Sequence, residues 1–106
     1  MVKKTRARTE RRVRERAARE LVRDRQKLAA LSPGGAPDRP IVVSSSAVLA
    51  PRVRSLPCPL CEGGLRIDHE SAESHGGRLL HAMHVSCMRC GVDRVLWFQV
   101  SSPLPS

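Results

Sequence analysis

Aromatic residues are almost missing from this chain. Its 106 residues include no tyrosine, one phenylalanine (Phe98) and one tryptophan (Trp97). A large aromatic core is therefore excluded, and one tryptophan makes a poor platform for stacking successive bases. Long apolar runs are also lacking. The first, Ile41 to Ala50, comes late and is broken by Ser44, Ser45 and Ser46, far short of the roughly 20 apolar residues of a spanning helix. No convincing secretory signal precedes it, and the expectation is a soluble, cytoplasmic chain in a reducing compartment. Nucleophile elbow, P-loop, HExxH and dinucleotide fingerprints are all absent, so the chain is expected not to be an enzyme.

Cysteine is scarce too, but its placement is informative. All four residues fall in two CxxC pairs, Cys58/Cys61 in PCPLCEGG and Cys87/Cys90 in SCMRCG. Two such turns present four sulfurs to one ion, and the expected occupant is a single structural zinc. A rubredoxin-like iron site and two disulfides are the alternatives. Four cysteines close the coordination sphere and leave no position for substrate. With so little to bury, the domain needs a staple, and a structural zinc contributes roughly 10–16 kcal/mol to folding.

Charge is plentiful and unevenly spread. The chain holds 19 Lys/Arg against 10 Asp/Glu. Residues 1–31 carry twelve of the cations and four of the acids, or +8, which leaves +1 for the rest. Arg, Ala, Glu and Leu predominate from Thr5 to Leu31 with no Gly or Pro, which predicts a basic helix. Val13, Ala17, Leu21, Leu28 and Leu31 form a narrow apolar stripe on it, interrupted by Asp24. Glu10/Arg14 and Glu15/Arg19 sit four apart in the favourable order. Ser32-Pro33-Gly34-Gly35 should end the helix.

Five of eight prolines lie in residues 32–57, and residues 32–56 read as a linker. It is either a flexible tether or, through Ile41 to Val43 and Ala47 to Leu49, docked on the domain that follows. Residues 101–106 read as a disordered tail.

Three antiparallel strands are expected across residues 65–72, 78–86 and 94–100. With a loop at residues 73–77, Leu65 faces Val85, Ile67 faces Met83 and His69 faces His81, which gathers the apolar groups on one side. Leu96, Phe98 and Val100 should complete the buried side, leaving Val95, Trp97 and Gln99 on the other. CPLC followed by glycines, a hairpin, CMRCG and a closing apolar strand resembles a zinc ribbon over residues 57–100. The resemblance implies a small three-stranded zinc-bound β domain that interacts with nucleic acid or a macromolecular machine. Ribbons of eukaryotic transcript-cleavage factors carry adjacent acidic residues at the hairpin tip. Here Glu70 and Glu73 are separated and Gly76-Gly77 ends the hairpin, a departure that argues against that activity.

The histidines read as strand or turn residues. His84 is three residues before Cys87 but is not needed as a ligand beside four cysteines, and His75 belongs to the turn. Trp97 is expected to pack against Ala47 to Leu49 or a partner rather than stack on a base.

Two functions follow. The first is a nucleic-acid-binding protein, or a component of a transcription or translation machine, in which Arg6, Arg8, Arg11, Arg12, Arg14, Arg16 and Arg19 contact phosphates. The alternative is a protein-interaction adaptor with a structural zinc.

Overall fold

The computed structural model describes residues 2–101, with side chains from residue 7 onward. Of the expected tail at 101–106 only Ser101 is described, its N–H donating to Val43 O at 2.8 Å; residues 102–106 and the side chain of Arg6 lie outside the described residues. An N-terminal helix, α1 (Val2–Leu31), leads into strand β1 (Ile41–Val43), a 3-10 turn (Ser46–Val48) and a short helix α2 (Leu49–Ser55). Three longer strands follow: β2 (Leu65–His75), β3 (Arg78–Cys87) and β4 (Asp93–Val100). The sheet is four-stranded and mixed, in the order β1-β4-β3-β2.

The three antiparallel strands are present, but the sheet does not stop at three. Ile41, Val42 and Val43 pair in parallel with Phe98, Gln99 and Val100. Docking rather than a free tether is thus what the apolar residues after Pro40 achieve. Ala47 to Leu49 forms no strand and enters the turn and helix instead. Pro51 is tolerated in α2 because it sits in the first turn, where its missing N–H has no intrahelical acceptor.

The core lies between α2 and one face of the sheet. Leu49 and Val53, four apart on α2, cover Val43, Leu65, Met83, Val85, Leu96 and Phe98. Phe98 and Val53 have no exposed surface. Leu96 and Phe98 point into the core while Val95 and Trp97 take the other face, as strand alternation requires.

The register of the β2–β3 hairpin differs from the expected one. Gly76 and Gly77, with φ of 58° and 79°, form a two-residue turn, so His75 pairs with Arg78 rather than lying in a five-residue loop. Two consecutive residues with positive φ match the strand twist and favour Gly-Gly. Near the other end Leu65 pairs with Cys87 and Ile67 with Val85. The two registers are out of step by one, and a bulge at Asp68 absorbs the difference. His69 therefore pairs with His84, and His81 pairs with Ala72.

α1 is about 45 Å long at 1.5 Å per residue, which explains why the molecule extends 78 Å in its longest direction. Residues 7–28 are solvent-exposed, and only at Ala29 does partial burial begin. Among the described residues, neither Glu10/Arg14 nor Glu15/Arg19 closes as an ion pair. The helix ends where expected: Ser32 N–H donates to the carbonyls of Leu28 and Ala29, and Arg39 Nη1 donates to Leu31 O at 3.0 Å.

Candidate metal centre

The two cysteine turns are built alike. In the first, Glu62 N–H donates to Cys58 O at 2.8 Å and Cys58 N–H to Gly63 O at 2.9 Å. In the second, Gly91 N–H donates to Cys87 O at 3.0 Å and Cys87 N–H to Val92 O at 2.9 Å. The residue after the second cysteine takes a left-handed conformation in both, Glu62 at φ 64° and Gly91 at φ 79°. One turn precedes β2 and the other joins β3 to β4, so the Leu65–Cys87 pairing brings them face to face.

All four sulfurs lie within 4.8 Å of one another. Cys58 and Cys90 sulfurs are 3.7 Å apart, those of Cys61 and Cys87 3.4 Å. Four sulfurs at 2.3 Å from a tetrahedral zinc would be about 3.8 Å apart, so the cluster fits one such ion with little rearrangement. The cysteines are free rather than disulfide-bonded.

Backbone N–H groups already point at the sulfurs. Leu60 donates to Cys58 Sγ at 3.4 Å, Gly63 to Cys61 Sγ at 3.4 Å, and Arg89 and Cys90 to Cys87 Sγ at 3.3 Å each. Such donors favour the thiolate. Chiefly through the Cys90 N–H, they bring the Cys87 thiol down to about 6 from its ordinary 9.0. At Cys90 the Val92 N–H acts in the same direction, but desolvation and the neighbouring thiols outweigh it and push the group up to about 12. Four thiolates cannot ionise together without a cation, and a divalent ion supplies that charge.

Space is limiting at Gly63. A Cβ there would lie 2.6 Å from Arg89 Cβ, 3.0 Å from Cys87 Sγ and 3.2 Å from Cys61 Sγ. Cations border the cluster as well: Arg89 Nη1 donates to Cys61 O at 3.3 Å, and Arg94, whose guanidinium pKa burial lowers, feels the charge of Cys58. A dipositive ion with four thiolates leaves the site net anionic, and these side chains offset it. His84 is not in the sulfur cluster. The group that could hold a metal ion is thus Cys58, Cys61, Cys87 and Cys90. No known protein family, curated protein or solved structure matches this chain.

The second candidate region is α1. With 100° between successive residues, Arg8, Arg12, Arg16, Arg19, Arg23 and Lys27 fall within one sector about 100° wide. It contains no carboxylate, although Glu15 and Glu20 lie at its borders. Arg11 and Arg14 project elsewhere, so the arginines named from sequence do not form one surface. Arg23 and Lys27, not named among them, continue it; the signal that finds them is the spacing of four, four, three, four and four residues. Arg25, on another face, reaches the first cysteine turn and donates to Leu60 O at 2.7 Å.

Trp97 packs on a different part of the segment after α1 from that expected. Its backbone N–H donates to Gly34 O at 2.8 Å, and its ring meets His75 edge-on, with centroids 4.9 Å apart. Gly76-Gly77 occupies the hairpin tip, and Glu70 and Glu73 stand on β2 opposite Met83 and Leu80.

Proposed function

We propose that this chain is a non-enzymatic zinc-ribbon protein that binds nucleic acid, or a nucleic-acid-containing machine of transcription or translation, through α1. The observation that carries the reading is the acid-free basic sector from Arg8 to Lys27 on an exposed helix. Six cations in register along one face repel one another, and phosphates relieve that repulsion. Contacts of this kind position a protein on a nucleic acid without reading its sequence. The thiolate set suits zinc over harder cations, and its closed sphere gives the ion a structural role. The experiment is fluorescence anisotropy with random-sequence duplex DNA and with RNA, comparing the full chain with one lacking residues 2–24. Unchanged affinity after the truncation would defeat the assignment.

A protein-interaction adaptor is the second reading. It is favoured by Val13, Leu21, Leu28 and Leu31, which are between 51% and 63% exposed along the other stripe of α1. On that reading, Leu21→Asp abolishes partner capture from an extract treated with nuclease, and salt has little effect.

A further inference from the structure

Two of the four histidines meet in a way that neither the cysteine cluster nor α1 uses. The rings of His69 and His84 stack with centroids 4.0 Å apart and planes 12° from parallel. The Asp68 bulge makes this contact. In the register that pairs Leu65 with Cys87 and Ile67 with Val85, an uninterrupted ladder would set His69 against Met83, on the core face. The extra residue sets it against His84 instead, on the face away from the core. The bulge is held by its own side chain: Asp68 Oδ1 accepts from Ser86 Oγ and from Arg66 Nε, both at 3.2 Å, and Arg66 Nη2 donates to Ser86 Oγ. Asp93, whose strand position pairs with Ser86, lines the same shallow depression as His69 and His84.

We propose that His69 and His84 form a second, exchangeable site for a late first-row divalent cation, separate from the cysteine cluster. Neutral imidazole is the preferred nitrogen ligand of zinc, nickel and copper. The rings are close enough on neighbouring strands for rotation about their soft terminal torsions to open the stack and turn one nitrogen of each toward a shared ion, where the two would lie about 3 Å apart. Water would complete the coordination. The charged groups around the pair are Asp68, Asp93, Arg66 and Arg94, which balance formally, so the ion meets no net repulsion.

The test is titration of the full-length, zinc-loaded protein with Ni2+, observed through the histidine ring resonances, while retained zinc is measured separately. One ion per chain should broaden His69 and His84 first, leaving His75 and His81 as internal references. His84→Gln should weaken binding by at least about tenfold, the scale of losing a metal-site partner, and His75→Gln should leave it unchanged. The exposed His69→Gln gives the same test should His84→Gln destabilise the sheet. Equal broadening of all four histidines, displacement of zinc as the only binding event, or unchanged affinity in both glutamine variants would overturn the site.

Discussion

If α1 binds phosphates through one face, then which arginines are removed should matter more than how many. The sector from Arg8 to Lys27 spans 20 residues, or about 28 Å of helix from first to last, and offers six cations. Were each to neutralise one phosphate of duplex DNA, log affinity would fall with log salt at a slope of about −5.4. Raising salt from about 50 to about 200 mM would then weaken binding by about 2,000-fold. Arg12→Gln with Arg16→Gln leaves four contacts, a slope of about −3.6 and a loss of about 150-fold over the same range. Arg11→Gln with Arg14→Gln removes the same charge from outside the sector and should leave the slope near −5.4. Arg and Gln have similar helix propensities, so circular dichroism should show α1 intact in both pairs. Anisotropy titrations at four or more salt concentrations give the slopes. Equal slopes for the two double variants would show that net charge alone governs binding, and the sector argument would fail.

Glu62→Gly should stabilise the metal-bound protein by about 0.5–1 kcal/mol, read as a higher Tm, because Glu62 holds the left-handed backbone that Gly91 supplies in the matching turn. Gly63→Ala should cost about 1–3 kcal/mol through crowding against Arg89 and Cys87, and competition with a chromophoric chelator should show weakened metal binding. Acidification should release the metal. Protons compete with the ion for the four thiolates, so metal release and loss of the β signal should coincide; in the metal-free protein Cys87, whose pKa is depressed from 9.0 to about 6, contributes stability that is full above pH 9 and is lost as the pH falls through about 6. Phe98→Ala should cost about 3–5 kcal/mol in urea unfolding of the metal-saturated protein, since Phe98 is fully enclosed between α2 and the sheet.

The cysteine spacing, the helix stop at Ser32 and the alternation on β4 were legible because each is local. The hairpin register was not. After Ile67, β2 reads Asp-His-Glu-Ser-Ala-Glu-Ser-His, with too little apolar pattern to prefer one pairing over another. The glycines decide one end, and the sulfur cluster decides the other. A two-residue turn carried without interruption to Leu65 would set it against Met88, and only the bulge at Asp68 restores the pairing with Cys87. Local sequence announces neither constraint to the other, so the histidine pair that results was hidden too. β1 was half legible: Ile-Val-Val looks like a strand, but its partner lies 57 residues later at Phe98, and nothing near Pro40 names it. α2 was masked by Pro51, which reads as a breaker unless the turn ahead of it is already known to be helical.

Docking of the segment after α1 changes what the basic helix can do. A helix on a loose linker must lose its freedom when it binds, and that loss subtracts from affinity. Here several bonds hold its C-terminal end: Arg25 to Leu60 O, Arg39 to Leu31 O, Gly34 N–H to Arg39 O, and Trp97 N–H to Gly34 O. The first of these ends on the Cys58–Cys61 turn, whose backbone is shaped by the sulfur cluster. A metal that fixes this turn also fixes the carbonyl to which Arg25 is bound, while the Arg8 to Lys27 sector stands clear on another side of the helix. If α1 binds phosphates, an ion held there would influence that binding without touching phosphate, by presenting the charged face from an ordered base.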